Sequence, residues 1–166
     1  MKKIFIVILL LLIVSVFGCS KNSDQSIFSN IGLNNVKSEN ISLITKKERK
    51  SSFNGDGEDF YAFEIKDTKD ILKEIETNKD WKKLPLRENI NNIVYGNNGY
   101  SPFITDEDGN KLIPPIKNGY YYFYNTSEDA KDKTDDTYLK NAYSYNFIIS
   151  IFDTDTNMLY YAKLDT

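Results

Sequence analysis

The strongest hydrophobic pattern in the chain lies at its start. Two lysines precede an uncharged and almost wholly apolar run from Ile4 to Phe17, and Gly18 and Cys19 follow that run. A positive segment, an apolar segment and a small residue before the cleavage point are typical of a secretory signal. We therefore predict that residues 1–18 are a signal peptide and take no part in the fold.

A membrane-spanning helix is the alternative interpretation of this run. The stretch from Ile4 to Cys19 would reach about 24 Å as a helix, whereas the hydrocarbon core of a bilayer is about 30 Å thick. No cluster of charges follows the run to stop its transfer. Both observations favour the signal peptide.

The residues that end the run resemble the lipobox of bacterial lipoproteins. Val16 is an aliphatic residue three positions before Cys19 and Gly18 directly precedes it, although Phe17 stands where that family usually has a small residue. The resemblance implies cleavage before Cys19 and a diacylglyceryl group on its thiol. It places the protein on the extracytoplasmic face of the cell membrane, and two acyl chains hold far more firmly than one.

The segment after the cysteine has no sustained hydrophobic period. It is rich in Ser, Asn and Lys as far as Glu39. This composition predicts a flexible tether over residues 19–39. As a coil it would span about 25 Å and would hold a folded domain clear of the lipid headgroups.

Short apolar segments separated by turn residues predict one folded domain over residues 40–166. Strands are predicted at Ile41–Leu43, Phe60–Ile65, Tyr120–Tyr124, Tyr143–Phe152 and Met158–Leu164. Asp153–Asn157 joins the last two strands as a hairpin turn. A second hairpin is predicted across Asp106–Asn110, between Phe103-Ile104 and Leu112-Ile113.

The helical signals are fewer. A helix is predicted from Lys69 to about Asn78, because Ile71 and Ile75 share one face of it. Ile90, Ile93 and Val94 fit either a helical turn or a short strand. Together the elements predict an α+β fold, in which one helix or two pack on one face of a mostly antiparallel sheet of five or six strands.

Two absences from the composition exclude whole classes of chemistry. The chain has no histidine, which excludes histidine-based zinc sites and Ser–His or Cys–His nucleophile pairs. Its only cysteine is Cys19, which excludes an internal disulfide and a thiolate cluster. The formal net charge of −3 and the lack of clustered arginine do not indicate a nucleic-acid partner.

Acidic clusters raise the question of a calcium site. A calcium-binding loop of the EF-hand type needs Gly at position 6 and Glu at position 12. Counted from Asp106, the glycine falls too early and Lys117 takes the last position. The loop Ser127–Thr137 carries five carboxylates and two lysines and reads as a solvated loop. We predict neither a metal nor a cofactor.

The tyrosines on one predicted strand are the candidate binding residues. Tyr120, Tyr122 and Tyr124 would point to one face of the sheet, and Tyr121 and Phe123 to the other. A solvated aromatic face of this kind stacks on sugar rings or forms contacts with another protein. The alternative is that tyrosine simply suits a half-exposed sheet.

A basic cluster on the first strand is a further candidate. Lys46 to Lys50 contains four basic residues and one acidic residue. Such a cluster is attracted to anionic lipid by about 1 kcal/mol per basic residue near the surface. A solvated face is the alternative.

Several short stretches of the domain look like a family of uncharacterised small exported proteins of low-GC Gram-positive bacteria. They are Phe53–Gly57, Trp81–Leu86, Tyr95-Gly96 and Tyr145–Phe147. The similarity spans about Ser51 to Thr166. It implies no activity, cofactor or partner, so no functional residue follows from it.

The sequence therefore leaves two hypotheses of different classes. The first is a non-catalytic binding or accessory module of the cell envelope, held at the membrane through Cys19, with an envelope protein or a wall polymer as its partner. The second is a histidine-free hydrolase that acts on wall glycan through two carboxylates. An open aromatic patch would favour binding, and two acids across a cleft, one with a raised pKa, would favour the enzyme.

Overall fold

The computed structural model describes residues 20–50, 56–97, 99–140 and 142–166, with the backbone alone for residues 20–23 and 50. Its helices are α1 Ser20–Asn30, α2 Lys69–Thr77 and α3 Glu88–Tyr95. Its strands are β1 Ile41–Lys50, β2 Gly57–Ile65, β3 Trp81–Lys83, β4 Gly119–Asn125, β5 Phe147–Asp153 and β6 Met158–Asp165. Short 3₁₀ helices occupy Ser38–Asn40 and Thr137–Lys140.

The six strands form one sheet in the order β1-β2-β6-β5-β4-β3, and each neighbouring pair is antiparallel. The hairpin of β5 and β6 lies at its centre, closed at a turn where Asn157 has a φ of 58°. The predicted α+β class and the predicted number of strands are confirmed.

The first face of the sheet is covered by α1 and α2. Ile71 and Ile75, the two residues that predicted α2, are fully buried there. Phe28 of α1 meets Phe63 of β2 edge to face, with ring centroids 5.2 Å apart. Burying a side chain of this size contributes about 1.5–3 kcal/mol, so both helices are firmly held.

The second face of the sheet is covered as well, and here the expectation of helices on one face needs correction. Ile90, Ile93 and Val94 form the buried side of α3, and Ile104 and Ile113 cover the same face from the following loop. The reason lies in β5, which is buried at every position along its length. Because both of its faces are apolar, both sides of the sheet must be covered.

The predicted tether over residues 19–39 is wrong for the part of it that the structure describes. Phe28, Ile31, Leu33 and Val36 are buried in the same core cluster as α2. Phe28 reaches the sheet from α1, and Ile31, Leu33 and Val36 reach it from the segment that follows the helix. The domain therefore includes the segment directly after Cys19.

The predicted hairpin across Asp106–Asn110 is reduced to a single bridge between Thr105 and Lys111. Ile104 and Ile113 turn inward to the core instead of extending as strands. β3 was not predicted, because a strand of three residues has too little alternation to be recognised. It pairs Trp81 with Tyr122 at the edge of the sheet.

Candidate functional site: a charged cleft beside an edge strand

The predicted tyrosine face is not an open surface. Tyr122 is 6% exposed and lies in the core cluster beneath α1 and α2, where its ring contacts Trp81. Tyr124 stacks on Tyr122 with ring planes 9° apart, and it is half-buried. Burial raises the pKa of Tyr122 to about 12. These contacts are those of a packed core.

Tyr120 is also committed to contacts within the protein. Its hydroxyl donates to Glu76 Oε1 at 3.1 Å, and Lys83 Nζ lies 6.0 Å from its ring centroid. The opposite side of the strand is covered too, because Tyr121 and Phe123 are buried in the second core cluster. β4 is therefore buried on both faces, and the tyrosines do not form the solvated aromatic surface that the sequence predicts.

A large recess lies elsewhere, beside the edge strand β1. It is a cleft of about 460 Å³ between the β1–β2 pair and the turn that follows Thr105. Phe60 and Leu112 contribute apolar side chains to its lining. Its volume falls within the range of small-ligand sites, about 300–1,000 Å³.

An ion pair occupies the β-strand wall of this cleft. Arg49 and Glu58 are direct partners in the β1–β2 register, and Arg49 Nη2 lies 3.3 Å from Glu58 Oε2. The same guanidinium donates to the carbonyl oxygen of Thr105 at 3.2 Å. Arg49 therefore ties the edge of the sheet to the turn on the far side of the cleft.

Glu58 is the unusual titratable group of the cleft. Its side chain is only 14% exposed, and its Oε1 atom is buried without a hydrogen-bond partner among the described residues. Burial raises the pKa of this carboxyl, and the positive charges of Arg49 and Lys47 oppose that rise. An unsatisfied buried acceptor is costly, and a donor on a bound ligand would satisfy it.

The opposite wall is an acidic turn built on Asp106. Its Oδ1 accepts from the backbone N–H groups of Asp108 and Asn110 at 3.0 and 2.8 Å, and its Oδ2 accepts from Asn110 Nδ2 at 3.0 Å. These hydrogen bonds, led by the Asn110 side chain, lower the pKa of Asp106. Gly109 completes the turn with a φ of 82°, a conformation that suits glycine.

The charges of the cleft are mixed. Three basic residues and five acidic residues line it, which gives a net charge of −2: Lys46, Lys47, Arg49, Glu48, Glu58, Asp106, Glu107 and Asp108. Lys47 and Arg49 face the acidic turn across the recess. The lining therefore offers both cationic donors and carboxylate acceptors to a ligand.

A second recess continues the cleft past the ion pair. It has a volume of about 330 Å³ and is lined by Asp56, Leu164 and Thr166 together with Arg49 and Glu58. Arg49 and Glu58 line both recesses, and we call the two recesses together the groove. The loop 51–55, which joins these strands, lies outside the described residues.

Three of the five carboxylates of the acidic loop Ser127–Thr137 form contacts within the protein. Asp132 accepts from the backbone N–H of Thr134 at 2.8 Å, and Asp135 accepts from that of Thr137 at 2.9 Å. Asp136 is buried and forms an ion pair of 3.2 Å with Arg87. These contacts account for the loop as a structural feature.

Cys19, the predicted lipid-attachment residue, lies outside the described residues. Across the part of the chain that is described, no helix has the length and apolar character needed to cross a membrane.

Comparisons of the chain with protein-family models, curated proteins and solved structures found no match.

Sequence reasoning missed the cleft because its walls come from distant parts of the chain. Two signals for it are present in the sequence. Lys46 to Arg49 of the basic cluster line the strand wall, and Asp106 to Asp108 of the acidic turn line the opposite wall. Their approach depends on the path of the loop between α3 and β4, which no local pattern specifies.

Proposed function

We propose that the protein is an extracytoplasmic lipoprotein, anchored through two acyl chains on Cys19, whose domain is a non-catalytic binding module of the cell envelope. The anchor rests on the positively charged start, the apolar run and the Val16 to Cys19 box. The binding role rests on one observation above all, the two neighbouring charged recesses that share Arg49 and Glu58.

The shape and charge of the groove favour a wall polymer as the ligand. Two recesses joined at an ion pair suit an extended chain better than a compact molecule. The acidic turn would accept from ammonium groups, while Lys47 would donate to carboxylate groups. The peptide stems of peptidoglycan carry both kinds of group.

The anchor is tested by replacing its one reactive atom. The Cys19→Ala variant should remain unprocessed or leave the membrane fraction, because no other anchor is proposed. Cell fractionation and mass spectrometry of the mature N-terminal peptide measure both outcomes. An unmodified Cys19 in a membrane-bound wild-type protein would refute the proposal that the protein is a lipoprotein.

Binding is tested by co-sedimentation with insoluble peptidoglycan. We expect Lys47→Glu to weaken binding about tenfold, which corresponds to ~1.4 kcal/mol, because it removes a cation from the groove. The matched control is Lys82→Glu, an identical change at an exposed position of β3, outside the groove. Equal affinities of the two variants, or no binding by the wild type, would exclude this ligand.

A specific observation favours a second function, the carboxylate-dependent hydrolase of wall glycan. Glu58, with a raised pKa, and Asp106, with a lowered pKa, line the same cleft. Environments that raise the pKa of one carboxyl group and lower the pKa of another are typical of a general acid and its partner. Against it, Arg49 already binds Glu58, and three hydrogen bonds hold Asp106 in its turn.

The two functions make different predictions for Glu58→Gln. A hydrolase would release new reducing ends from peptidoglycan, and the variant would lose that release while keeping its affinity. A binding module releases none. Assay of reducing ends with wild type and variant separates the two.

A further inference from the structure

One carboxylate of the groove has an acceptor atom that the protein itself does not use. Glu58 Oε2 pairs with Arg49, but Glu58 Oε1 is buried without a hydrogen-bond partner among the described residues. Glu58 lines both recesses of the groove. Because the last torsion of a glutamate side chain is soft, a small turn of the carboxyl group presents this oxygen to a donor in the groove.

The other carboxylates of the cleft are either satisfied or exposed. Asp106 accepts three hydrogen bonds within its own turn. Glu48 pairs with a lysine of its own strand at 3.1 Å. Glu107 and Asp108 are exposed, where an ion pair contributes little to binding. Glu58 is therefore the carboxylate that gains most from a donor on a ligand.

The cations of the cleft show the same contrast. Arg49 is held by Glu58 and by the carbonyl oxygen of Thr105, and Lys46 has a carboxylate partner on its own strand. Lys47 is exposed and forms no ion pair with a described residue. Lys47 is therefore the cation of the cleft that is available to an anionic group of a ligand.

The strand register places Lys47 and Glu58 on one face of the β1–β2 pair. Lys47 lies opposite Phe60, and Arg49 lies opposite Glu58. Since residues two apart on a strand point to the same side, Lys47 and Glu58 are diagonal neighbours, with a separation of about 7–8 Å. Phe60 is next to both of them and lines the same cleft, so an apolar surface accompanies the two charges.

We propose that the groove binds a zwitterionic amino-acid group, with its ammonium on Glu58 and its carboxylate on Lys47. In such a group the ammonium nitrogen and the carboxylate carbon are two bonds apart, about 2.5 Å, so one residue of a ligand meets both side chains. The inference rests on the binding role proposed above. It names the part of the wall polymer that the protein recognises, which is the peptide stem and not the glycan.

The charges of the lining favour a zwitterion over a ligand of one sign. The net charge of −2 attracts an ammonium group, but a ligand with an ammonium alone would leave Lys47 without a partner. A simple anion would meet five carboxylates and would leave Glu58 Oε1 unsatisfied. A group that carries both charges satisfies both side chains.

The test first alters the ligand. Insoluble peptidoglycan is divided into an untreated portion, a portion whose amines are acetylated and a portion whose carboxylates are converted to methylamides. Co-sedimentation gives the dissociation constant of the wild-type protein for each portion. We expect each modification to weaken binding about tenfold, because each removes a charge-assisted hydrogen bond.

Matched variants then show which side chain binds which group. Glu58→Gln should bind the untreated portion about tenfold more weakly than the wild type, and acetylation should have little further effect on it. Lys47→Gln, a change at an exposed position that the fold tolerates, should be equally insensitive to the conversion of carboxylates. The control Glu64→Gln, at an exposed position of β2 outside the groove, should respond to both modifications as the wild type does.

If either modification leaves the binding of the wild type unchanged, the inference is overturned while the wall-binding module stands. Full sensitivity to both modifications in Glu58→Gln and Lys47→Gln would also overturn it, since other side chains would then bind these groups.

The absence of binding to all three portions would instead refute the proposed wall ligand. Free alanine, a soluble zwitterion, then tests the site through the backbone amide NMR signals of residues 47 and 58. Shifts of these signals in the wild type and not in Glu58→Gln would support the zwitterion site with a soluble ligand. Unchanged signals in the wild type would overturn the inference as well.

Discussion

Strands β4 and β1 lie toward opposite sides of one sheet and meet their surroundings in opposite ways. β4 carries four tyrosines and a phenylalanine, yet helices cover one of its faces and α3 with its following loop covers the other. β1 carries four basic residues, and much of its surface faces solvent. The difference shows that aromatic content alone does not mark an exposed binding surface in this fold.

The contrast has a physical cause in the neighbours of each strand. β4 lies beside β5, which is buried at every position, and the two core clusters that cover the faces of β5 also cover those of β4. Its tyrosines add large apolar area, while Tyr120 keeps a hydroxyl partner in Glu76. β1 has a neighbour on one side only, so charged residues there can remain solvated and can face the cleft.

The largest expected effect on stability comes from truncating one side chain on each face of β4. Tyr122→Ala and Phe123→Ala should each lower the free energy of unfolding by about 3–5 kcal/mol, the range for large aromatic residues in cores. Ile44→Ala on β1 should change it by no more than about 0.5 kcal/mol. Denaturant unfolding measures all three. A small loss of stability in Tyr122→Ala would contradict the burial of this residue and would favour the solvated tyrosine face.

The next effect tests whether the segment of residues 20–39 belongs to the folded domain. Ile31→Ala should cost about 2–5 kcal/mol, because Ile31 is fully buried against the sheet. Lys37→Ala, at an exposed position in the same segment, should cost no more than about 0.5 kcal/mol. Thermal or denaturant unfolding compares the two variants. Equal and small losses of stability would contradict the packing of this segment and would favour a flexible tether.

A smaller effect is the pH dependence that Glu58 gives to the stability of the fold. Because its folded-state pKa is raised above its ordinary value of 4.5, the folded state holds its proton more tightly than the unfolded state. Stability should therefore fall as pH rises from about 4.5 through the raised pKa. In Glu58→Gln this contribution should vanish, whereas Glu64→Gln, an exposed change on the same strand, should keep it. Denaturation across this pH range checks the slope.

The sequence predicts well those elements whose signals are local. The hairpin of β5 and β6 follows from two apolar arms around Asp153–Asn157, and α2 follows from the spacing of Ile71 and Ile75. Their boundaries in the structure differ from the predicted ones by a few residues at most, except that the first arm begins at Phe147 and not at Tyr143.

Other features escape local reasoning because they depend on tertiary contacts. Alternation predicts that Tyr120, Tyr122 and Tyr124 share a face, but it does not predict what covers that face. α1 has only two apolar residues, Ile27 and Phe28, so no apolar period predicts it and their burial against the sheet explains the helix. Glu58 and Asp106 are far apart in sequence, and a loop that no pattern specifies brings them to one cleft.

The central claim, that the binding surface lies beside β1 and not on β4, is tested most directly by affinity for peptidoglycan in matched variants. Dissociation constants from co-sedimentation should rise about tenfold for Lys47→Glu, or ~1.4 kcal/mol. Tyr120→Leu with Tyr124→Leu should bind as the wild type does, at a temperature where every variant is folded. Loss of binding in the tyrosine variant, with full binding by Lys47→Glu, would contradict the account.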